Sequence, residues 1–272
     1  MDESVNHAAT LITLILFFGG LGAMVIVRRT LRAHPVETQR LVPLIARRAY
    51  SPKQFAGLAA ALLALYFLAG CTGVLFFDGY IPEEQKPLIQ LAAQWIIYAL
   101  FAAVLLVVNR RGRNRFGLAL KNFKWWWAGV GFYFAIIPVI MAASFVYHEL
   151  ISLLFGIDVG LQEVARHVRG DWNWLQVGFV FTAVVGAPVY EEIVFRGILF
   201  PLILKHSNIR TAMIFTAVLF AAVHLHIPSL LPIALLSVFL CYAYLRTQSL
   251  WACIGIHMMF NGISIFVLNI MG

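Results

Sequence analysis

Residues 185–197 read VGAPVYEEIVFRG and place two adjacent carboxylates and one arginine inside an otherwise apolar part of the chain. Ionisable side chains at membrane depth are costly and usually functional. In a helix, Glu192 and Arg196 are i,i+4 neighbours that can pair, whereas Glu191 is rotated by about 100° and lacks that partner. Pro188 lies just upstream, where we expect a kinked or restarted helix. The stretch therefore predicts one tethered carboxylate and one that is available for chemistry.

The composition around this stretch is that of a membrane protein. Of the 272 residues, 62% are hydrophobic and only 12% are charged, with a mean hydropathy of +0.87. Soluble domains carry about 25% charged residues, so a water-soluble fold is excluded. Apolar segments of roughly spanning length occur at 8–27, 54–77, 87–108, 125–147, 173–204, 209–224, 228–244 and 249–268. We expect an all-α, polytopic transmembrane helix bundle with about eight spans in a lipid bilayer.

The net charge of +8 is distributed in a way that predicts the orientation of the chain. Basic residues cluster in two segments between apolar spans, 28–53 and 110–124, and positive loops stay in the cytoplasm. Both segments are therefore expected inside, and both termini outside. This distribution favours membrane insertion over nucleic-acid binding, so we expect no nucleic-acid partner. The predicted location is the cell (inner) membrane of a prokaryote, as an integral, multi-pass protein.

Two further polar pairs occur in later apolar segments. Phe220 and His224 are four residues apart and share one helix face, and His257 and Asn261 repeat this spacing. At roughly 1.5 Å per helical residue, Glu191 and both histidines fall within the membrane and can converge on one cavity. The carboxylate can take a proton from water, and one imidazole can position that water or protonate a leaving amine. The other imidazole and the amide can donate hydrogen bonds to an oxyanion, which completes a predicted hydrolytic site.

These three motifs together resemble the CPBP family, the CAAX-protease and bacteriocin-processing intramembrane peptidases, also called the Abi family. The family pattern is E-E-x-x-x-R, then F-x-x-x-H, then H-x-x-x-N or H-x-x-x-B, on successive helices. Here it reads Glu191 to Arg196, Phe220 to His224, and His257 to Asn261. The resemblance extends from about residue 172 to the C-terminus. It divides the chain into an N-terminal four-span region without a matched motif, 1–171, and a CPBP-like catalytic core, 172–272.

The resemblance implies an eight-helix membrane protease related to the type II CAAX prenyl endopeptidase. Glu191 would activate water with the help of His224, while His257 and Asn261 would form the oxyanion hole. Supporting roles are expected for Glu192, Arg196 and Phe220, the first two as a pair and the last as packing against His224. The substrate would be membrane-associated or lipid-modified. A prenylated CAAX protein and a peptide precursor both stay open.

A metal-dependent mechanism is the first alternative. Glu191, His224 and His257 are together a possible zinc set. However, the chain contains no H-E-x-x-H motif, and no further protein ligand is obvious unless Glu192 contributes. Arg196 beside that carboxylate argues against a cation there. We therefore favour a glutamate-activated water without a metal or other cofactor.

Two other classes of function are compatible with charged groups inside a membrane. A proton-coupled transporter would predict inverted repeats and broken helices in both halves, but only one candidate break is present, near Pro188. A non-catalytic adaptor or immunity protein would use the fold as a binding scaffold. Degenerate motifs would favour that reading, and the motifs here are intact. An intramembrane endopeptidase is the preferred prediction.

Overall fold

A computed structural model describes residues 3–33, 38–72, 81–108, 116–156 and 173–271. These residues form helices, with no strand among them. In chain order the helices are α1 Glu3–Ala33, α2 Thr38–Ala46, α3 Pro52–Thr72, α4 Lys86–Val108, α5 Lys124–Phe155, α6 Trp174–His206, α7 Ile209–Ala222, α8 Leu230–Thr247 and α9 Leu250–Met271. Three short 3₁₀ turns complete the described part of the chain. The predicted all-α helix bundle is confirmed.

Six of these helices are long and apolar enough to cross a membrane, and α3 and α7 contain shorter apolar helices. Large apolar side chains are widely exposed on the outer surface of the bundle, as at Leu106 and Leu153. Such a surface suits lipid rather than water, because in lipid only the backbone needs internal hydrogen bonds. A count of eight spans stays a prediction, as does the division of the chain at residue 171.

The helix α9 is held against α5 by two close backbone approaches. A Cβ atom added at Gly129 would collide with the carbonyl of Ala252, and one added at Gly255 would approach the carbonyl of Trp126. Small residues at helix contacts allow such approaches in membrane proteins, where packing drives helix association. Gly255 lies two residues before His257, so this contact fixes the position of the histidine relative to the rest of the bundle.

The helix α6 has no non-helical residue at Pro188, and a kink there stays a prediction. Two π-helical turns, Thr182–Gly186 and Ile193–Leu199, lie on either side of the segment Ala187–Glu192. Proline has no backbone N–H, and a local π adjustment satisfies the backbone groups that it leaves free. The hydrogen-bond register of the helix therefore changes before and after the two carboxylates. Such π turns occur frequently at functional sites.

Three other helix boundaries differ from the sequence predictions. The helix α5 continues to Phe155 rather than ending at residue 147, and it is closed by Gly156 in the left-handed conformation, φ 60°. The basic segment 28–53 contains α2, whose Ile45 is fully buried; a short amphipathic helix carries no long apolar run and is missed by that criterion. The helix α7 ends at Ala222, so His224 lies in the following turn.

The helices α3 and α4 pack against each other, and α4 packs against α6. Leu91 of α4 lies against Gly178 of α6, and Trp95, later in α4, lies against Gly186, later in α6. The two helices therefore run parallel. The Trp95 indole donates a hydrogen bond to Thr182 Oγ1 at 2.8 Å. The N-terminal half of the chain is thereby joined to the π turn that precedes the carboxylates.

The two basic segments meet at one end of the bundle. Arg48 donates hydrogen bonds to the Gln248 carbonyl at 2.9 Å and to the Tyr244 hydroxyl at 3.0 Å. The Ser249 hydroxyl donates to the carbonyl of Gly117 at 2.9 Å. This arrangement agrees with placing both segments on the same side of the membrane. That this side is the cytoplasm stays a prediction.

Candidate active site

A fully buried ion pair lies at the centre of the bundle. The side chains of Glu192 and Arg196 are 0% exposed, and Arg196 Nη1 donates to Glu192 Oε1 at 2.9 Å. The Nη2 group donates to the hydroxyl of Ser237 on α8 at 2.6 Å, and the guanidinium lies 4.4 Å from the ring centroid of Phe220. The i,i+4 pairing predicted from the sequence is therefore present, and it is tied to two neighbouring helices.

His257 joins this ion pair from α9. Its Nδ1 lies 2.8 Å from Glu192 Oε1, the same oxygen that accepts from Arg196. An ionised carboxylate only accepts, so Nδ1 carries the proton. The opposite ring nitrogen, Nε2, lies 3.8 Å from Glu191 Oε2. Glu192 thus orients the imidazole, and the imidazole faces the neighbouring glutamate.

His224 approaches Glu191 from the turn after α7. Its Nδ1 lies 2.7 Å from the carbonyl of Phe220, which only accepts, so Nδ1 is again the protonated nitrogen. The Nε2 atom lies 3.9 Å from Glu191 Oε2. The ring of Phe220 packs edge-on against both imidazoles, at 5.0 Å from His224 and 5.7 Å from His257. One aromatic ring therefore packs against both histidines.

Glu191 stands apart from this hydrogen-bonded network. Its side chain is 24% exposed, yet Oε2 is buried and has no hydrogen-bond partner within the described part of the chain. Both imidazole Nε2 atoms lie beyond direct hydrogen-bond distance from it. Polar atoms separated by such distances are commonly bridged by one water molecule. The three atoms can hold a water or a polar substrate atom between them.

A cavity of about 570 Å³ opens beside Glu191 and His224. Its walls come from α3, α4, α6 and the turn after α7. Most of the lining is apolar, and the polar side chains of α4 that reach it are Gln90, Gln94 and Tyr98. Sequence reasoning gave the first four spans no role. The signal that it missed is the row of polar residues at i, i+4 and i+8 in an otherwise apolar helix.

Asn261 lies one turn beyond His257 on α9. Its Nδ2 donates to the carbonyl of Ala183 at 2.8 Å, within the first π turn of α6. An amide NH₂ group has two hydrogens, so one further N–H is available for another acceptor. Neither Asn261 nor His257 is among the residues that line the cavity. The amide connects α9 to the site helix at the level where α6 changes its hydrogen-bond register.

Ser237 is a second contributor that the sequence did not reveal. It is 0% exposed and binds Arg196 through its hydroxyl, and its carbonyl lies 3.4 Å from the same Nη2 group. A single serine in an apolar helix has no distinguishing spacing. Only the packing of α8 against α6 shows which serine meets the arginine.

A metal ion at this site would have to be held by Glu191, His224 and His257, with Glu192 as a further ligand. Within the described residues, no group of three or more histidine, cysteine, aspartate or glutamate side chains is placed so that it could hold one. Glu192, the additional ligand that a zinc site would need, already accepts from Arg196 and His257 through Oε1. A guanidinium beside that carboxylate opposes a second cation there.

A carboxylate and two histidines converging inside a bundle of membrane-length helices define an intramembrane hydrolase. Residues 172–263 match the family described as "Type II CAAX prenyl endopeptidase Rce1-like". A protein of Bacillus subtilis (strain 168), named "Putative membrane peptidase YdiL", is 28% identical over 201 residues, which cover 69% of this chain and 78% of that protein. No solved structure matches the chain.

These matches confirm the resemblance to the CPBP family. The region that carries all three motifs lies within residues 172–263, the part that is similar to the Rce1-like type II CAAX prenyl endopeptidases. The chain is therefore an integral, multi-pass membrane peptidase.

Proposed function

We propose that this peptidase is an endopeptidase that hydrolyses its substrate with a water molecule activated by Glu191, without a metal ion. The observation that carries the proposal is the position of Glu191 Oε2. This buried oxygen has no hydrogen-bond partner among the described residues and faces the Nε2 atoms of two histidines at 3.8 and 3.9 Å. It also lies beside a cavity large enough for a peptide segment.

In the first step, water binds between Glu191 and His224 next to the scissile carbonyl. The Nε2 atom of His224 has a lone pair, because the ring proton is on Nδ1, and it accepts a hydrogen bond that orients the water. Glu191 takes one proton as the water oxygen bonds to the carbonyl carbon. The carbonyl oxygen then becomes an oxyanion, and Glu191 holds the proton as a carboxylic acid.

The oxyanion would be stabilised by His257 and Asn261. For this, His257 must carry a proton on Nε2 as well as on Nδ1, and the Glu192 carboxylate stabilises such an imidazolium. The positive charges of His257 and Arg196 then neutralise the negative charges of the two glutamates, and charges removed from water need such partners. Asn261 contributes the N–H that is not bound to Ala183.

In the second step, the tetrahedral intermediate collapses. Glu191 returns its proton to the nitrogen of the leaving amine as the carbon–nitrogen bond breaks. The products are a carboxylic acid and an amine, and the water has supplied one oxygen and both hydrogens. Glu191 is a carboxylate again, so the site is ready for another cycle.

The test uses purified full-length protein in liposomes. Cleavage sites are first identified by comparing new protein N-termini in membranes of cells that produce the wild type or Glu191→Gln. A peptide spanning one site is then assayed with and without a strong chelator, and the metal content is determined. We expect chelator-resistant cleavage by the wild type and none by Glu191→Gln. Stoichiometric zinc, with loss of activity on chelation and recovery on adding zinc, would overturn the metal-free mechanism.

The lipid modification of the substrate is tested in the same assay. We propose a membrane-associated or lipid-modified peptide, which is either a prenylated CAAX protein or a peptide precursor. A farnesylated peptide ending in a CAAX sequence and its unmodified counterpart separate the two. Preference for the farnesylated form, measured as kcat/KM, supports the prenylated substrate, and equal cleavage supports the peptide precursor.

A further inference from the structure

The cavity beside Glu191 has one wall that the reaction described above does not use. It is formed by α4, whose side chains Gln90, Gln94 and Tyr98 line the cavity in a row. The two glutamines belong to a helix that is otherwise strongly apolar over its membrane-length segment. Polar side chains in membrane helices usually hydrogen-bond to neighbouring helices. These two point into the cavity instead.

The chemistry of this wall is that of a peptide bond. A glutamine amide has two N–H donors and a carbonyl acceptor, so it can pair with both the C=O and the N–H of one backbone peptide group. Gln94 precedes Tyr98 by one turn on the same face of α4, and both side chains line the cavity. No lysine or arginine occurs among the described residues that line the cavity. The wall therefore offers neutral hydrogen bonds rather than charge recognition.

The spacing of the wall matches an extended peptide. Residues four apart on a helix are separated by about 6 Å along its axis. In an extended strand, peptide groups on the same edge recur every two residues, at roughly 6.4–6.8 Å. Two glutamines at i and i+4 can therefore meet two successive peptide groups on one edge of a substrate strand. A helical substrate could not use them, because its backbone groups are already bonded.

The row of polar side chains leads towards the reacting carboxylate. The ring of Tyr98 packs at 4.6 Å from the ring of Tyr190, which precedes Glu191 in sequence. Tyr66 on α3 lines the same cavity as Tyr190. A strand lying along α4 would thus pass from the glutamines to the tyrosines and then to Glu191.

We propose that Gln90 and Gln94 form a binding site for the backbone of an extended, unwound peptide segment of the substrate. This inference rests on the proposed function, because it specifies how the same site holds what it cleaves. The two glutamines bind the peptide groups of the substrate rather than its side chains, so binding is largely independent of substrate sequence. A membrane-embedded substrate must unwind locally to bind, and the glutamines replace the backbone hydrogen bonds that unwinding breaks.

The experiment measures binding and cleavage of a palmitoylated ten-residue peptide made of alanine, serine, glycine and valine, in liposomes with full-length protein. A sequence-permuted peptide and a fully N-methylated peptide serve as probes, since N-methylation removes the backbone donors. Gln90→Leu and Gln94→Leu keep the side-chain size and suit an apolar helix. Gln85→Leu, just before α4 and outside the cavity lining, is the matched control.

We expect each leucine variant to weaken peptide binding to the Glu191→Gln background by about 2- to 10-fold, the range for one hydrogen bond. In the active protein, the same variants should raise KM by this factor with little change in kcat. The permuted peptide should behave alike, and Gln85→Leu should have no effect. The N-methylated peptide should bind weakly to the wild type and be insensitive to both leucine substitutions.

Three results would overturn the inference. The first is unchanged binding in both leucine variants, and the second is that these variants weaken binding of the N-methylated and the unmethylated peptide equally. The third is that no probe binds. The outcome for catalysis is read separately. Glutamine-dependent binding without cleavage by the wild type would retain the binding site and contradict the proposed reaction. If Glu191→Gln abolishes cleavage but Gln90→Leu and Gln94→Leu leave KM unchanged, the proposed reaction is retained and the binding site is contradicted.

Discussion

The two adjacent glutamates of α6 lie on different sides of the helix and have different surroundings. On the bundle side, Glu192 is 0% exposed and is bound by Arg196 and His257. On the cavity side, Glu191 is 24% exposed. The Oε2 atoms of both glutamates lack a partner in the described chain, but Glu192 Oε1 accepts from Arg196 and is 2.8 Å from His257 Nδ1. The two side chains differ by one residue, and thus by a rotation of about 100° around the helix. This rotation alone separates a carboxylate fixed by its neighbours from one that can exchange a proton.

The difference shows why charge at membrane depth has two uses. A buried carboxylate that already binds a cation and an imidazole does not need water as a partner, and it positions these two groups. A carboxylate without such partners keeps its capacity to bind water. On the proposed mechanism, Glu192 positions His257 and Arg196, and Glu191 performs the chemistry.

The largest effect on stability is expected for Glu192→Gln. It removes the charge that Arg196 faces at 0% exposure, and breaking a buried pair in this way costs about 3–5 kcal/mol. Thermal unfolding in detergent, followed by loss of the folded fraction, measures the change. Glu191→Gln is the matched control and should unfold near the wild-type temperature. If Glu191→Gln were the less stable of the two, the assignment of the two sides would be reversed.

The next largest effect is expected for Asn261→Asp, and it concerns rate. The change replaces an N–H donor by an acceptor and places negative charge beside a forming oxyanion and the Ala183 carbonyl. Turnover should fall about 10²–10³-fold with little change in KM, as it should for Asn261→Ala.

Asn269→Ala provides the control, because Asn269 is on the same helix and bonds only to the Ile265 carbonyl of its own helix in the described structure. It should retain turnover. An active Asn261→Asp enzyme would remove Asn261 from the oxyanion site and leave it as a bridge between α6 and α9.

A smaller effect is expected for Ser237→Ala. The hydroxyl of Ser237 binds the buried guanidinium of Arg196, and losing a hydrogen bond to a charged group costs about 1–3 kcal/mol of stability. Ser144→Ala is the control, since Ser144 donates to the carbonyl of Ile140 within α5. Denaturation monitored in the same detergent compares the two. Equal stability of both variants would show that Ser237 does not support the ion pair.

The smallest effect on activity is expected for two introduced cysteines that test the orientation of the protein in the membrane. Ser51→Cys and Gln85→Cys, each in a Cys71→Ser background, lie near opposite ends of the bundle and outside the cavity lining. A reagent that cannot cross the membrane should label Gln85→Cys in intact cells and Ser51→Cys only after permeabilisation. Both proteins should cleave like the wild type. Labelling of Ser51→Cys from outside would reverse the predicted topology.

Several features of the site follow from the sequence because they depend on local spacing. The pairing of Glu192 with Arg196 needs only the helical period, and that pair is present. The convergence of Glu191 with His224 and His257 was expected from depth in the membrane, and both distances are below 4 Å. The overall fold class follows from hydropathy, since only helices and closed barrels span a bilayer.

Other features depend on contacts between distant segments, which spacing does not encode. The contact of Ser237 with Arg196 and the wall of Gln90 and Gln94 both arise from how α8 and α4 pack on α6. The π turn that precedes Pro188 was also missed, because a proline in a sequence suggests only a kink or a restart. The π turn beside it is a change in hydrogen-bond register, and no residue pattern in the stretch marks it.

The most direct test of the division between the two sides is the single-turnover cleavage rate of Glu191→Gln, normalised to folded protein, with substrate binding measured in the same sample. Losing a general base should lower the rate by about 10²–10⁴-fold while binding and folding are retained. Cleavage at nearly the wild-type rate by this variant would show that Glu191 is not the base. A loss of cleavage explained by unfolding would equally contradict the separation of the reacting carboxylate from the structural one.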